Sequence, residues 1–171
     1  PSTIDVIIST MASSTASETV NPPIARLASG ENCVIQSLDI SILVPVMNEA
    51  GNIRPLIDEI CAAFANRRFE IIYVDDASDD ATAEELVAAL SDIPQLRVLR
   101  HFKRAGQSAA IRSGLLQANG TLIGVLDGDG QNVPADFPAL EAVIIDASKE
   151  GTLIMAAGIR QSRNDSAMRL I

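Results

Sequence analysis

The sequence predicts an α/β domain in which helices cover both faces of a mostly parallel sheet. From residue 39 onwards, short β-rich runs alternate with segments of helical periodicity, which is typical of successive βαβ units. Two of these runs end in clusters of aspartates, and in a parallel sheet such strand ends lie along one edge. The chain has 171 residues, of which 47% are hydrophobic and 20% charged, so it can bury the core of one such domain.

Five strands are predicted from runs of β-branched and other apolar residues that are bounded by polar or turn-forming residues. They cover residues 39–46, 69–74, 96–100, 121–126 and 152–157. Pro45 has no backbone N–H group. The first strand must therefore end there or lack a neighbouring strand on that side.

Four helices are predicted between and after these strands. They lie near residues 53–64, 81–90, 107–118 and 135–148. The first has the clearest pattern, because its apolar residues recur at helical spacing. These residues are Ile53, Leu56, Ile57, Ile60, Cys61 and Phe64. Thr82 and Glu85 fit a capping box at the start of the second helix.

Residues 1–38 are rich in Ser, Thr, Ala and Pro and have weak periodicity, so we expect a mostly disordered leader there. The ordered domain is expected over residues 39–171. Because the sequence stops soon after the fifth predicted strand, we expect this domain to be truncated at its C-terminus.

Composition disfavours several classes of function. The formal net charge of −9 and the 3% aromatic content oppose binding of nucleic acid. His101 is the only histidine, which excludes a His-rich metal site. Cys33 and Cys61 form no CxxC pair, so a reducing compartment is favoured. No apolar run reaches the ~20 residues that span a bilayer, and no signal peptide is recognisable.

Asp127 and Asp129 directly follow the fourth predicted strand. Two carboxylates this close repel each other unless water solvates them or a cation bridges them. A hard divalent cation such as Mg²⁺ or Mn²⁺ fits, since these ions prefer oxygen ligands. A solvated turn explains the pair equally well. A calcium loop of the EF-hand type is excluded, because its required Gly and Glu positions hold Asn132 and Pro138.

A second acidic cluster follows the second predicted strand. It begins with Asp75 and Asp76, which belong to the strand end, and continues over residues 78–80, where helix capping is part of the explanation. The two clusters should meet at one edge of the sheet, where ligands of α/β proteins bind. This arrangement favours a phosphate-bearing ligand held through a metal ion.

Four motifs in this order resemble those of family-two glycosyltransferases of the Rossmann-like GT-A fold, most closely the polyprenyl-phosphate sugar transferases such as dolichyl-phosphate mannosyltransferases. They are Val-Pro-Val-Met-Asn-Glu at 44–49, Val-Asp-Asp-Ala-Ser-Asp-Asp at 74–80, Ala-Gly-Gln-Ser-Ala-Ala-Ile-Arg-Ser-Gly-Leu at 105–115 and Asp-Gly-Asp-Gly-Gln-Asn-Val-Pro at 127–134. The resemblance spans residues 39–165. Met47 departs from it, standing where the family usually has an aromatic residue, as does the basic loop at 103–104.

The resemblance implies three groups of site residues. Nucleotide-binding residues would be Pro45, Val46, Asn48, Glu49, Asp75, Asp76 and Gly106, with Asp76 recognising the base. Asp127 and Asp129 would be catalytic and would hold the metal together with Gln131. Arg160 and Arg163 would hold the acceptor phosphate, for which a solvated loop is an equally good explanation.

The implied reaction moves a sugar from a nucleotide sugar, GDP-mannose or UDP-hexose, to a polyprenyl phosphate such as dolichyl or undecaprenyl phosphate. Mg²⁺ or Mn²⁺ would be the cofactor. Residues 39–171 would form the nucleotide-sugar-binding part, with an incomplete acceptor part. The protein would act at the cytoplasmic face of a membrane, and its peripheral membrane contact would use segments absent from this chain.

Three other functions are compatible with parts of this pattern. A receiver-type signalling module would need a Lys at the end of the fifth strand, where the sequence has Ala157-Gly158. A nucleotidyltransferase would need a Gly-rich basic loop after the first strand, and no Lys or Arg lies between Ser41 and Asn52. An inactive donor-binding fragment is compatible with all the motifs.

Overall fold

A computed structural model describes residues 5–11, 38–147 and 153–159. The elements follow in the order β1 (Asp5–Met11), β2 (Leu38–Val46), α1 (Ile53–Ala63), β3 (Phe69–Asp75), α2 (Thr82–Ala89), β4 (Leu96–Arg100), α3 (Gln107–Leu115), β5 (Gly120–Val125), a 3₁₀ turn (Pro134–Asp136), α4 (Phe137–Ala147) and β6 (Leu153–Ile159). The chain divides into two compact units. One comprises Asn21–Ala135, and the other comprises Pro1–Val20 with Asp136–Ile171.

The larger unit contains a four-stranded parallel sheet with the strand order β4-β3-β2-β5. This confirms the predicted α/β class and the first four strands, to within a residue or two at their ends. Every residue of β3 is buried, as expected for a central strand that is covered on both faces. On one face, α3 packs through Ala110 against Leu43, Ile72 and Val74. The helices α1 and α2 pack against each other.

The smaller unit corrects one expectation. The fifth predicted strand does not extend the parallel sheet, because β6 pairs antiparallel with β1, from Met11 opposite Leu153 to Asp5 opposite Ile159. Residues 5–11 are therefore a strand within a segment that we expected to be mostly disordered. Each run satisfies the backbone N–H and C=O groups of the other, and local periodicity does not reveal so distant a partner. Leu38, the last residue of the expected leader, begins β2, and the remainder of the leader lies outside the described residues.

A buried hydrogen-bond network connects neighbouring strands on the face of the sheet that α3 covers. Glu70 is 4% exposed and accepts hydrogen bonds from Ser41 Oγ at 2.7 Å, from Arg97 Nη1 at 2.8 Å and from the backbone N–H of Asn119 at 2.7 Å. Burial alone would raise the pKa of Glu70, but these hydrogen bonds outweigh it and lower the pKa. The ionised carboxylate therefore stabilises this network of β2, β3 and β4 with the start of β5.

Pro45 shapes the end of the central strand β2. The carbonyl of Leu43 accepts a hydrogen bond from the N–H of Leu126 at 3.0 Å, so residues 43 and 45 direct their backbone polar groups towards β5. The carbonyl of Val46 faces β3 instead and accepts from the N–H of Asp76 at 2.9 Å. The pairing with β5 ends at Leu43, so the missing N–H of Pro45 falls where no strand needs it. Beyond this point β2 and β5 no longer pair, and it is between these two strands that the strand order reverses.

Candidate functional site

A cleft of about 420 Å³ opens at the carboxyl ends of β2, β3 and β5. It lies at the point of strand-order reversal, which is the usual ligand-binding position in open α/β sheets. Its walls are formed by Pro45, Val46, Met47, Glu49, Asp76, Gly106, Gln107, Ala110, Asp127, Gly128 and Asp129. The two acidic clusters of the sequence therefore do meet, through Asp76 on one side and the 127–129 loop on the other.

Gly128 allows the loop after β5 to approach the end of β2. A Cβ atom at this position would collide with the side chain of Val46 and would lie 3.2 Å from the carbonyl oxygen of Pro45. Val46 is 3% exposed, so its side chain has little room to move away. Only glycine therefore fits between Asp127 and Asp129 with the loop in this position.

Asp127 and Asp129 are exposed to the cleft and accept few hydrogen bonds. Asp127 accepts from Gln107 Nε2 at 2.9 Å and from Asn132 Nδ2 at 3.3 Å, and Asp129 accepts from the backbone N–H of Gln131 at 3.0 Å. No Lys or Arg within the described part of the chain forms an ion pair with either carboxylate. Their oxygens are therefore available to a cation.

These residues fit a divalent ion that takes its remaining ligands from a substrate. Across residues 5–11, 38–147 and 153–159, no group of three or more His, Cys, Asp or Glu side chains could enclose a metal. A Mg²⁺-like ion commonly uses only one or two protein carboxylates together with substrate phosphates and water. Asp127 and Asp129 supply that number of ligands.

Asp75 is fully buried and does not line the cleft. Its Oδ1 accepts from the N–H of Ser78 at 2.8 Å, which closes the turn after β3. Arg100 Nε lies 3.1 Å from its Oδ2, but outside hydrogen-bond geometry, so this buried oxygen has no hydrogen-bond partner among the described residues. Arg100 also donates to the carbonyl of Ser78 at 3.0 Å. Asp75 therefore supports the loop rather than contacting a ligand in the cleft.

Asp76 lines the cleft and accepts three hydrogen bonds. His101 Nδ1 lies 2.7 Å from Oδ1, the N–H of Ala105 donates to Oδ1 at 2.9 Å, and the N–H of Gly106 donates to Oδ2 at 2.7 Å. Burial alone would raise the pKa of Asp76, but these donors outweigh it and lower the pKa. Asp76 is therefore an ionised group that holds the 101–106 loop against the end of β3.

Asn48 joins the loop after β2 to the loop after β3. Its backbone has a φ of 59°, a left-handed conformation that Asn tolerates better than most residues. Its N–H donates to Ser78 Oγ at 3.0 Å, and its side-chain amide exchanges two hydrogen bonds with Asp79, of 2.7 and 3.0 Å. Asn48 does not line the cleft itself, so its observed role is to fix the loop that does.

The predicted capping box at the start of α2 is wrong. Thr82 Oγ1 accepts from the N–H of Glu49 at 2.8 Å, and the carboxylate of Glu85 accepts from the N–H of Gly51 at 2.9 and 3.0 Å. The helix has Ala81 as its N-cap, with no side-chain capping bond. Both side chains therefore serve the neighbouring loop, because its backbone N–H groups would otherwise lack partners.

Two side chains that the sequence did not single out belong to the site. Gln107, the first residue of α3, lines the cleft and donates to Asp127. His101 contacts Asp76 through one ring nitrogen and Ser113 Oγ through the other, at 2.9 Å. Gln107 lies in the 105–115 motif but had no role assigned to it, and His101 lies in no motif, so the spatial neighbours of each residue reveal its role.

The remaining predicted site residues divide into three groups. Pro45, Val46, Glu49 and Gly106 line the cleft with Asp76, Asp127 and Asp129. Gln131 contacts Asp129 through its backbone and is not among the lining residues. Arg160 and Arg163 lie outside the described residues.

Comparison with known proteins places this chain in a family. The model of the family "Glycosyl transferase family 2" matches residues 41–169. The dodecaprenyl-phosphate galacturonate synthase of Rhizobium johnstonii is 36% identical over 142 residues, which are 80% of this chain and 40% of that protein. The undecaprenyl-phosphate 4-deoxy-4-formamido-L-arabinose transferase of Yersinia pestis is 37% identical over 134 residues, 76% of this chain and 39% of that protein.

A solved structure supports the same conclusion. The mannosyltransferase PcManGT from Pyrobaculum calidifontis, in complex with GDP-Man and Mn²⁺, matches with a TM-score of 0.53 and 25% identity. The match covers 61% of this chain and 31% of that one. The fold is therefore of the GT-A type.

The chain spans about 40% of the length of the curated relatives it matches. Within the part of the chain that the structure describes, no helix has the length and apolar character needed to cross a membrane.

Proposed function

This chain belongs to glycosyl transferase family 2, and we propose that its cleft binds a nucleoside-diphosphate sugar together with a divalent cation. The observation that carries this proposal is the convergence of Asp76, Asp127 and Asp129 on one cleft at the strand-order reversal. The receiver-type alternative no longer applies to a member of this family.

The two sides of the cleft suit the two ends of a nucleotide sugar. We assign the base to the Asp76 side, where the carboxylate would accept a ring N–H of uracil or guanine. Gly106 and Gln107 lie between this side and Asp127, at the N-terminus of α3, which favours the negative charge that continues from the nucleoside into the diphosphate. Pro45, Val46 and Glu49 would line the nucleotide from the end of β2.

The diphosphate is assigned to the 127–129 side. Asp127 and Asp129 would hold Mg²⁺ or Mn²⁺, with Gln131 nearby; the ion, when bound, neutralises charge on the leaving diphosphate. Gln107 would orient Asp127 through the 2.9 Å hydrogen bond it already donates. The PcManGT structure contains both Mn²⁺ and GDP-Man, which supports this choice of ligands.

The acceptor is proposed to be a polyprenyl phosphate. The names of the two curated relatives specify dodecaprenyl phosphate and undecaprenyl phosphate. Such a phosphate is already an anionic nucleophile, so it needs positioning more than a strong base. Arg160 and Arg163 are proposed for this, since Arg binds phosphate oxygens in pairs. A lipid acceptor would place the protein at a membrane surface, which we propose to be the cytoplasmic face.

Calorimetric titration tests donor binding. UDP and GDP are titrated into the chain with Mn²⁺, with Mg²⁺ and with a chelator. We expect metal-dependent binding that Asp129→Asn weakens by about 1–3 kcal/mol, because one charge-assisted contact is lost with little change of shape. Transfer from GDP-mannose or UDP-hexose to a polyprenyl phosphate is then measured on the same samples.

Asp58→Asn is the matched control. It removes one negative charge, as Asp129→Asn does, but from the exposed surface of α1, where Arg54 is the ion-pair partner of Asp58 among the described residues. Such surface pairs contribute little, so nucleotide affinity should not change. Equal affinity of wild type and Asp129→Asn, with and without metal, would refute the assignment.

A further inference from the structure

We propose that His101 is a positioning residue that orients Asp76 towards the nucleobase and thereby sets the base selectivity of the cleft. The inference rests on the proposed function, because it concerns which nucleotide the same cleft prefers. It adds a residue that does not line the cleft. His101 lies behind Asp76, with 18% of its side chain exposed.

The hydrogen-bond network fixes the proton on the imidazole. An ionised carboxylate can only accept, so the ring nitrogen Nδ1, 2.7 Å from Asp76 Oδ1, must donate. In the neutral ring Nε2 then accepts the hydroxyl proton of Ser113, whose Oγ lies 2.9 Å away. The backbone N–H of His101 also donates to the carbonyl of Asp75 at 2.9 Å. Hydrogen bonds therefore hold both ring nitrogens of His101 and its backbone N–H.

The Asp76 carboxylate has one hydrogen-bond acceptor site left for a ligand. A carboxylate offers about four lone-pair sites, two on each oxygen. On Asp76, Oδ1 accepts from His101 and from the N–H of Ala105, whereas Oδ2 has one donor among the described residues, the N–H of Gly106. One site on Oδ2 is therefore left, on a side chain that lines the cleft.

This single site matches a base that presents one ring N–H. Uracil and guanine have such a donor, whereas cytosine and adenine present an acceptor at the corresponding ring nitrogen. The acceptor nitrogen of cytosine or adenine would be repelled by the ionised Oδ2 of Asp76 and would leave its free lone pair without a hydrogen-bond donor. The affinity difference between the two kinds of base should therefore be large. Because His101 and Ala105 occupy Oδ1, the base must bind to Oδ2. This fixes where the base lies relative to the diphosphate at residues 127–129.

The ring also anchors the loop that supplies the other donors. His101 begins the 101–106 segment whose end brings Ala105 and Gly106 to Asp76. Removing the ring would free a site on Oδ1 and loosen this loop at the same time. A cytosine amino group or a water molecule could then use the vacated site. Affinity for uracil or guanine should fall, and the penalty against cytosine and adenine should shrink.

The test measures the affinities of UDP, GDP, CDP and ADP, each with Mn²⁺, for the wild-type chain and three variants at position 101. His101→Phe keeps the ring volume without donors. His101→Asn places an amide N–H near the Nδ1 position, and His101→Gln places one near the Nε2 position. We expect His101→Phe to lower the preference for UDP over CDP, or for GDP over ADP, about tenfold, the scale of one lost charge-assisted hydrogen bond.

The two amide variants keep the test decisive if His101→Phe does not fold. His101→Asn should retain most of the selectivity and His101→Gln should lose it. Equal selectivity in both would overturn the proposal. A residue with a merely structural role would lower the melting temperature and weaken all four nucleotides alike, which would also overturn it.

Phe102→Ala is the matched control in the same loop. Phe102 is fully exposed, so its loss should leave selectivity unchanged. If the wild-type chain binds none of the four nucleotides, the proposed function itself fails. If it binds them selectively and His101→Phe remains as selective, only the role of His101 fails.

Discussion

Gly128→Ala should damage the candidate site through one identifiable contact. The new Cβ would collide with the side chain of Val46, which is buried at the end of β2. Pro45 restricts movement on the other side, since its carbonyl oxygen would lie 3.2 Å from the same atom. The loop must therefore move away from β2. Asp127 and Asp129 flank the substituted residue and would move with it.

The size of the effect follows from the nature of the contact. Inserting one methyl group into a closely packed position costs about 1–3 kcal/mol of folding stability. Displacing a binding group by about 1 Å can cost a hundredfold in function. We therefore expect a lower urea midpoint and at least a tenfold loss of Mn²⁺-dependent nucleotide affinity by calorimetry, a loss of about 1.4 kcal/mol.

Two further variants separate the collision from general damage to the loop. Gly130→Ala alters the same loop, but a Cβ there meets no atom within 4 Å; its cost comes from a φ of +69°, about 1–2 kcal/mol for a residue with a side chain. Val46→Ala removes the group that collides with Cβ at position 128. It should therefore rescue Gly128→Ala in the double variant, whereas combining it with Gly130→Ala should be additive.

The coupling free energy decides the outcome. We expect the double variant Gly128→Ala/Val46→Ala to be more stable than the sum of its single effects by about 1–2 kcal/mol, as for residues in contact. Additivity within error, or equal coupling of Val46→Ala to both glycine variants, would show that the loop does not rest on Val46. The role of Gly128 in placing the two aspartates would then be refuted.

Two more predictions concern groups that support the site. The pKa of Glu70 is lowered in the fold from its ordinary value of 4.5, so the ionised side chain stabilises the protein above that pH, and this contribution is lost as the pH falls through the folded-state pKa. The difference in urea midpoint between wild type and Glu70→Gln should therefore be largest near neutral pH and shrink in acid; a constant difference would contradict this. Asn48→Gly should cost less stability than Asn48→Ala, by about 1 kcal/mol, because glycine accepts the positive φ. Both should speed hydrogen exchange at the amide of Asp79, which donates to the Asn48 side chain, and unchanged exchange would count against the link.

The parts of the fold that could be predicted are those that depend on local patterns. The strands β2 to β5 are short apolar runs, and α1 has strong helical periodicity, so their positions follow from neighbours in sequence. The meeting of the two acidic clusters follows from the geometry of parallel strands. The pairing of β1 with β6 could not be predicted in this way, because its partners are separated by most of the chain.

Hydrogen bonds between side chains and distant loops could not be predicted from the sequence either. Thr82 and Glu85 have the spacing of a capping box, yet their hydrogen-bond donors are the N–H groups of Glu49 and Gly51, more than 30 residues earlier. His101 is a single histidine in no diagnostic motif, and its role depends on the approach of β4 to the end of β3. A side chain can form its hydrogen bonds with a distant segment as well as with its own helix, and the sequence pattern does not show which of the two occurs.

The charge of the cleft explains why a cation belongs to any account of its function. Four of its lining residues carry carboxylates, Glu49, Asp76, Asp127 and Asp129, and no described Lys or Arg lines it. Two like charges about 4 Å apart near a protein surface repel by roughly 4 kcal/mol, so a diphosphate approaching Asp127 and Asp129 alone would be rejected. The carboxylate of Asp76 already accepts hydrogen bonds from three donors, whereas no Lys or Arg in the described part of the chain pairs with Asp127 or Asp129. The cation is therefore needed where the diphosphate meets Asp127 and Asp129, and binding of a nucleoside without phosphates should not depend on Mn²⁺.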